Sequence, residues 1–437
     1  MNTTNHKRLS WGRSKHQISK VFKPNNKNEI IDFLSKRKEK SFLSIGLMRS
    51  YGDSCLNKNG SLIDMSNINQ VKEFDKKNGI IRVQSGISLD DLLKFIVPHG
   101  WYIQTSPGTK FVTVAGAICN DIHGKNHHKF GSFCNSINKI MILRSSGEVI
   151  DITEKEDPLF KATSGGLGLT GIILEVEIQL TKISSSYLDV ETIPFNNLEE
   201  FFKLERESVN DYEFTVSWID LTNKGTSFSK GIFQRANWKK DSIFKKHTSS
   251  MLKVPFSLGI NLVQESLIKI FNKVYFLIAL KRKSSQKIHY SSFFYPLDFL
   301  GGWNKLYGRK GFCQYQLVFP PDVSLAGLNE IFESLKRNKF MPRLCVLKTF
   351  GSIKSHGYLS FPMEGTTLTM DFPYQENKVK KLFSEFSLIV SKFNGKIYPA
   401  KDINIDKQNF KKYFKDIDML SKFKDPNIES DFWKRVS

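Results

Sequence analysis

Hydrophobic positions in the first third of the chain form short runs that predict strands and helices in alternation. Phe42–Ile45 and residues 80–83 are apolar and short enough for strands. Leucine and isoleucine then recur at helical spacing over residues 89–96, and Ser88 stands where a hydroxyl caps the amide of Asp91. This part of the chain is predicted to mix both kinds of element.

From residue 172 the pattern changes to strict alternation. Ile172, Leu174, Val176, Ile178 and Leu180 share one face, and mostly polar residues occupy the other. This period of two predicts a half-buried strand.

Beyond residue 184 strand-like runs alternate with helical ones. Residues 214–219, 314–319, 343–350 and 366–372 resemble strands, and residues 376–392 carry the clearest helical stripe. We predict an α+β protein with two domains. Residues 1–184 form the first, with 396–437 returning to it, and 185–395 form an inserted α+β domain on an antiparallel sheet, with a lid over 235–290.

Composition narrows the class of protein. The 437 residues carry a formal net charge of +22, which favours an anionic partner, although the basic residues are dispersed. Lys281-Arg282-Lys283 follows the apolar run at 274–280, a combination that suits an anionic membrane surface. Five cysteines without a C-x-x-C pattern favour free thiols, and no nucleic-acid motif is present.

The glycines at positions 166, 168 and 171 satisfy G-x-G-x-x-G but not its physical context. A dinucleotide site of that kind follows a strand and opens a helix, whose N-terminus holds the diphosphate. Here the glycines open the alternating strand, so we reject a Rossmann site.

Two other segments carry candidate chemistry. Residues 44–53, SIGLMRSYGD, form a glycine- and hydroxyl-rich turn after a strand, which is either a nest for phosphate or a plain turn. Residues 107–128 place small residues before a group of His, Lys and Asn. His123, His127 and His128 lack the spacing and the glutamate of common zinc motifs, so no metal is predicted.

These segments, together with GLTGII at 168–173, resemble the FAD-binding domain of the vanillyl-alcohol-oxidase type (PCMH-like). Further strings continue the resemblance in order to the C-terminus. They are PGT (107–109), DIHGKNHH (121–128), GSF (131–133), YPLD (295–298), WN (303–304), QYQ (314–316), FP (361–362), DFP (371–373), AKD (400–402) and KFKDP (422–426). The resemblance is strongest to the branch of this family that oxidises lipid-linked pentosyl phosphates.

The resemblance implies a set of residues that contact FAD. They are Gly46, Arg49, Ser50, Tyr51, Gly52 and Asp53 in the diphosphate turn; Pro107, Gly108, Thr109, Thr113, Gly116, Ala117, Asn120, Asp121, Ile122, His123, Lys125 and Asn126 along the flavin; and Gly168, Gly171 and Ile172 towards the adenine. Relatives with covalently attached flavin carry a histidine in the turn. Ser50 and Tyr51 stand there in this chain, so non-covalent FAD is expected.

The resemblance also implies a substrate face. Its residues are Trp218, Phe294, Gln314, Gln316, Lys348, Thr367, Thr369 and Lys401. Thr369 replaces a cysteine of the family pattern and Phe294 replaces a tyrosine, and the resemblance implies that both positions shape the sugar pocket. Lys401 is the first candidate for the base that takes the hydroxyl proton, or else a fixed cation beside the reduced flavin. His123 is either a competing base or a positioning residue, and Lys348 could anchor a phosphate.

The implied activity is oxidation of the 2′-hydroxyl of a polyprenylphosphoryl-β-D-ribose to a ketone, with FAD as cofactor. A separate NADH-dependent short-chain reductase would complete the epimerisation to the arabinose precursor. The resemblance implies a cytoplasmic protein, peripheral on the inner face of the membrane. Two alternatives stay open: a soluble sugar-alcohol or aldonolactone oxidase, and a non-catalytic protein that binds lipid phosphates.

Overall fold

The computed structural model describes residues 4–222, 228–248, 252–256, 259–281 and 285–437. Part of the predicted lid, and Arg282 and Lys283 of the basic run, lie outside the described residues. The described chain is α+β, with antiparallel pairing dominating two of its sheets.

The N-terminal residues form a four-stranded sheet in the order β1-β2-β4-β3. The strands are β1 (Thr4–Leu9), β2 (His16–Phe22), β3 (Phe42–Ile45) and β4 (Ser61–Asp64), and helix α1 (Lys27–Lys36) connects β2 to β3. β3 and β4 run parallel, and β3 ends at the turn of residues 46–53.

A second sheet has the order β5-β6-β10-β8-β9, with β7 also paired to β10. Its strands are β5 (Val71–Asp75), β6 (Ile80–Gln84), β7 (Trp101–Ile103), β8 (Ile137–Leu143), β9 (Val149–Ile152) and β10 (Ile172–Lys182). The helices among them are α2 (Leu89–Ile96), α3 (Val114–Cys119), α4 (His127–Phe130) and α5 (Pro158–Thr163).

The third sheet contains eight strands in the order β15-β11-β13-β12-β18-β19-β17-β20. The strands from here on are β11 (Tyr187–Phe195), β12 (Phe214–Asp220), β13 (Lys230–Trp238), β14 (Leu252–Lys253), β15 (Ser285–His289), β16 (Leu300–Gly301), β17 (Phe312–Phe319), β18 (Cys345–Phe350), β19 (Gly365–Pro373) and β20 (Lys396–Ile397). The helices are α6 (Leu198–Ser208), α7 (Glu265–Lys281), α8 (Tyr290–Phe294), α9 (Ser324–Asn338), α10 (Glu376–Lys392), α11 (Lys407–Tyr413), α12 (Ile417–Phe423) and α13 (Asp431–Val436).

One face of the third sheet is apolar and packs on helices. Leu317 of β17 and Leu368 of β19 join Leu328 of α9 and Phe386 of α10 in one buried cluster. Because side chains alternate across a strand, the residues between these leucines point to the opposite face. That second face carries the candidate site.

The main sequence patterns are confirmed. β10 alternates buried and partly exposed residues, as the period of two predicts. α10 spans the residues predicted to be helical, and the Asp91 amide donates to Ser88 Oγ at 3.0 Å. The three glycines of the rejected motif precede strand β10 and not a helix.

The predicted lid contains more regular structure than its sequence indicates. Residues 235–238 end strand β13, and residues 285–289 form β15 at the edge of the same sheet. Pairing within the third sheet therefore fixes both ends of this segment. The irregular sequence pattern of the segment does not predict these strands.

Two global features bear on function. None of the helices in the described residues is long and apolar enough to cross a membrane. All five cysteines are free thiols, three of them buried.

Candidate active site

Strand register places a row of candidate residues side by side on the second face of the third sheet. Gln316 pairs with Thr369, Thr369 with Val346, and Val346 with Trp218 across four strands. One step along, Lys348 pairs with Thr367, and Gln314 pairs with Asp371. The sheet therefore assembles residues separated by up to 153 positions into one polar surface, and most of the predicted substrate residues belong to it.

His123 meets this surface from the second sheet's side of the molecule. Its Nε2 lies 2.9 Å from the amide nitrogen of Gln316, and its Nδ1 lies 3.3 Å from Nζ of Lys348. The ring also packs against those of Phe350 and Tyr398 at 4.8 and 5.5 Å between centroids. Both ring nitrogens are thus occupied by protein neighbours.

The charge state of His123 follows from these contacts. Burial, with Lys348 and Lys401 nearby, holds the pKa of His123 well below its usual range, so the ring is neutral. Nζ of Lys348 also donates to the Gly124 carbonyl oxygen at 3.3 Å, so this lysine links the His123 ring to the loop that follows it.

Lys348 and Lys125 are both shifted towards the neutral amine. Burial lowers the pKa of Lys348 to about 7, with Lys401 and Lys125 contributing by repulsion. Burial alone lowers the pKa of Lys125 to about 7, and its Nζ donates to the Phe293 carbonyl oxygen. A site with several lysines drawn away from water favours an anionic occupant, which would restore their charge.

Lys401 lies at the end of the row, in a short 3-10 turn that follows β20. Its Nζ is 5.7 Å from the Tyr51 ring centroid and 5.8 Å from that of Tyr398. Burial lowers the pKa of Lys401, and the carboxylate of Asp371 opposes this shift. The lysine therefore retains a proton more readily than burial alone would allow.

The turn after β3 packs against the start of helix α3, and the partly exposed backbone at Leu47 and Gly116 is called the groove from here on. A side chain at Gly46 would collide with Thr113, whose hydroxyl accepts from the Gly116 amide at 3.1 Å and caps α3. An added Cβ at Gly116 would meet only that hydroxyl within 4 Å, so the space above it is open. Leu47 is 38% exposed beside it. A glycine-lined backbone surface in the turn that also places Tyr51 beside Lys401 fits a flat cofactor with a diphosphate.

Several predicted cofactor residues have structural partners instead. Both carboxylate oxygens of Asp53 accept from Arg435. Asp121 accepts from Ser132, Ser360 and the Cys134 amide, and the Asn126 side chain donates to the Gln104 carbonyl oxygen. These polar side chains organise loops rather than face the groove.

Other predicted residues lie away from the groove. Ile172 is fully buried in the apolar core, and Gly168 and Gly171 are buried beside it. Phe294 is 1% exposed and packs among Tyr102, Phe214 and Trp238, so the structure does not bring it to the substrate face. Pro107, Gly108 and Thr109 follow a separate path, where Thr109 donates to Asp298.

The remaining predicted residues support helix α3 and the loops beside it. Ala117 and Ile122 are buried in the core behind α3, and Asn120 donates to the Gly116 carbonyl oxygen at 2.8 Å. The Tyr398 hydroxyl donates to the Asn120 carbonyl oxygen, which links the α3 loop to the segment carrying Lys401. Ser50 accepts from the Trp11 amide through its carbonyl oxygen.

Sequence reasoning missed Asp371, the carboxylate that interacts electrostatically with Lys401. It is 1% exposed, accepts from Gln314, and burial raises its pKa. The signal was present, because Asp371 follows Thr367 and Thr369 at the strand period of two. Tyr398 and Phe361 were also missed; their rings stack at 4.9 Å beside His123 and lie in loops without a local pattern.

Within the described ranges, no group of three or more metal-ligating side chains is assembled. His127 is buried against Phe350, and burial, with Lys348 and His128, lowers its pKa to about 3.

Comparison with known proteins agrees with this chemistry. Residues 18–153 match an FAD binding domain. The chain is 32% identical to decaprenylphosphoryl-β-D-ribose oxidase of Mycolicibacterium smegmatis, over 95% of this chain and 93% of that protein. It is 25% identical to D-arabinono-1,4-lactone oxidase of Kluyveromyces lactis over 40% of this chain and 35% of that protein. The cofactor is FAD, and the chain belongs to the family of FAD-dependent oxidoreductases, acting on CH–OH donors, that includes decaprenylphosphoryl-β-D-ribose oxidase.

Proposed function

We propose that this chain oxidises the 2′-hydroxyl of a polyprenylphosphoryl-β-D-ribose to the 2′-ketone. The observation that carries the proposal is the polar row of the third sheet, where the buried side-chain oxygens of Gln314 and Gln316 make no hydrogen bond within the described residues and Thr369 pairs with Gln316. These side chains would bind the sugar hydroxyls. The relative of matching length is named for this substrate class, which supports the choice.

FAD, when bound, supplies the hydride acceptor for the carbinol carbon. Gly46, Ser50, Tyr51, Gly116 and Asn120 are the residues that would hold it, without a covalent bond. Denaturation followed by filtration tests this point, because non-covalent flavin passes into the filtrate and covalent flavin stays with the protein.

Lys401 takes the proton of the 2′-hydroxyl in this proposal. A lysine whose pKa is lowered by burial is neutral in a larger fraction near physiological pH, and a neutral amine is a base. His123 does not take this proton in the proposal, because both of its ring nitrogens already face protein side chains. The ring instead positions Gln316 and Lys348.

The test is incubation of the FAD-loaded protein with farnesylphosphoryl-β-D-ribose, followed by mass spectrometry. Loss of two hydrogens from the substrate is expected, and it should fall by about 10²–10⁴-fold in Lys401→Ala. Unchanged turnover in that variant would remove the base assignment. Oxidation of free polyols or aldonolactones, without action on the lipid-linked sugar, would favour the aldonolactone alternative.

Two partners follow from the proposal. The ketone is the substrate class of an NADH-dependent short-chain reductase, which would complete the epimerisation. The lipid-linked substrate resides in a membrane, and helix α7 offers a surface for it. Seven of the 17 residues of α7 are apolar and at least 46% exposed, with three lysines among them.

A further inference from the structure

A cavity of about 320 Å³ opens beside Arg49, in the turn that follows β3. The rings of Trp11, Phe111 and Trp303 line it. The guanidinium carbon of Arg49 lies 3.9 Å from the ring centroid of Trp11 and 5.4 Å from that of Phe111. The Arg49 guanidinium thus lies against the aromatic walls of the cavity.

The charge of the cavity is positive. Arg49, Lys253 and Lys305 line it against one carboxylate, that of Asp298. Asp298 accepts from Thr109 Oγ1 at 2.8 Å and from the Lys110 amide at 2.9 Å, so both of its oxygens are in use. Lys305 donates to the carbonyl oxygens of the 254–255 segment.

Arg49 retains a donor without an acceptor. Its Nε is buried and makes no hydrogen bond within the described part of the chain. Lys348, the other candidate for a phosphate, is already bonded to His123 and the Gly124 carbonyl oxygen. Since a buried donor without a partner is costly, Arg49 is the cation that gains more from an anion.

The cavity adjoins the site of chemistry through aromatic side chains. Trp303 packs on Trp11 at 5.8 Å and on Phe312 at 5.2 Å, and Phe312 packs on Tyr51 at 5.4 Å. Tyr51 in turn lies beside Lys401. Two rings, those of Tyr51 and Phe312, therefore separate Lys401 from the Trp303 wall of the cavity.

Exposed apolar residues continue from the cavity to the surface. Leu252 and Phe256 flank its Lys253–Pro255 wall and are 71% and 65% exposed, and Phe299, beside Leu300, is 59% exposed. Large apolar side chains in water beside a cationic cavity suit a ligand with a phosphate and a hydrocarbon chain.

We infer that this cavity binds the phosphodiester of the lipid-linked substrate through Arg49 and packs the first isoprene units against Trp11, Phe111 and Trp303. The inference rests on the proposed function for the identity of the ligand. It assigns Arg49 to the substrate rather than to the cofactor.

The experiment measures binding to the FAD-loaded protein by tryptophan fluorescence, since two tryptophans line the cavity. The probes are farnesyl phosphate, farnesol and inorganic phosphate. Farnesyl phosphate should bind most tightly, and Arg49→Gln should weaken it by about 10–100-fold, the loss expected for a charge-assisted hydrogen bond. Farnesol, which has no phosphate, should bind equally to the unaltered chain and to Arg49→Gln. Arg206→Gln, on the exposed side of α6, is the matched control and should leave all three affinities unchanged.

The outcomes separate this inference from the proposed function. Arg49-dependent binding of farnesyl phosphate supports the inference even if the lipid-linked ribose is not oxidised. The inference is overturned if the lipid-linked ribose is oxidised but farnesyl phosphate binds to Arg49→Gln as tightly as to the unaltered chain. Loss of flavin absorbance in Arg49→Gln overturns it as well, because Arg49 would then hold the cofactor. Inorganic phosphate binding as tightly as farnesyl phosphate overturns the lipid assignment.

A second variant guards against a folding defect in Arg49→Gln. Lys253 is exposed, so Lys253→Gln should fold normally and weaken farnesyl phosphate by a few-fold. No weakening in either variant, with flavin retained, contradicts the inference.

Discussion

Nδ1 of His123 lies 3.3 Å from Nζ of Lys348, on the opposite side of the ring from Gln316. Because both ring nitrogens already contact protein side chains, we expect His123 to position Gln316 and Lys348 and not to act as a base. His123→Phe keeps the ring packing on Phe350 and Tyr398 while removing both contacts. We expect about a 10-fold loss of turnover with an unchanged pH profile, measured by product formation between pH 6 and 10. If the rate of His123→Phe no longer rose or fell with pH where that of the unaltered chain does, His123 itself would titrate in catalysis.

Asp371 is expected to set the pH at which Lys401 becomes neutral. Its carboxylate raises the pKa of Lys401 against the effect of burial. Asp371→Asn removes this charge, so the rise in rate that accompanies deprotonation of Lys401 should move to lower pH. The pH dependence of kcat measures the shift.

Thr369→Ser is the matched control for that variant, because position 369 lies two residues earlier on the same face of β19. Thr369→Ser should leave unchanged the pH at which the rate rises. A rise in kcat that moves to higher pH in Asp371→Asn would contradict the expected direction.

The apoprotein should gain stability as the pH rises above 7. The folded-state pKa of Lys348 is about 7 against an ordinary value of 10.5, so the unfolded chain binds more protons between these values. Stability therefore increases with pH across that window. Lys348→Met should flatten the increase, as measured by urea unfolding at pH 7, 8 and 9.

Lys336→Met serves as the comparison, since Lys336 is exposed on α9, where it pairs with Glu333. Its pH dependence should match that of the unaltered chain. A Lys348→Met curve as steep as the original would show that burial does not affect this lysine as proposed.

Arg435 should be a major contributor to the stability of the C-terminal segment. Helix α13 places its guanidinium 2.8 Å from Asp53 and 2.9 Å from Asp402, both of which are buried. Arg435→Gln leaves two buried carboxylates without a counter-charge and should cost about 3–5 kcal/mol of unfolding free energy. Arg337→Gln, which breaks an exposed pair with Glu385, should cost less than about 1 kcal/mol. Equal losses in chemical denaturation would refute the difference.

The exposed face of α7 should bind anionic membranes. Ile270 and Leu277 are 62% and 47% exposed on this helix, so replacing both with Glu should remove apolar contact and add repulsion. Flotation with phosphatidylglycerol vesicles is expected to recover the original chain and to lose the double variant. Leu388→Glu alters a leucine on α10 that is 67% exposed, and this variant should float normally. Flotation of all three proteins would argue against α7.

The sequence by itself determined the elements whose physics is local. The alternation of β10, the stripe of α10 and the cap at Ser88 depend on neighbours a few residues away, so their patterns are visible along the chain. The ordered motifs indicated FAD and the face of the third sheet that carries Gln316, Lys348 and Thr369. Free thiols followed from cysteine spacing.

Only the tertiary structure decided which of these residues meet. The contact of His123 with Lys348 joins positions 225 residues apart, and the register of β17, β18 and β19 selects Asp371 as the charge beside Lys401. Asp53 and Asp121 have motif positions typical of cofactor residues, yet their side chains bind Arg435 and Ser132. Such choices depend on long-range packing, because a carboxylate accepts from whichever donor the fold brings within reach, and no local pattern encodes that donor.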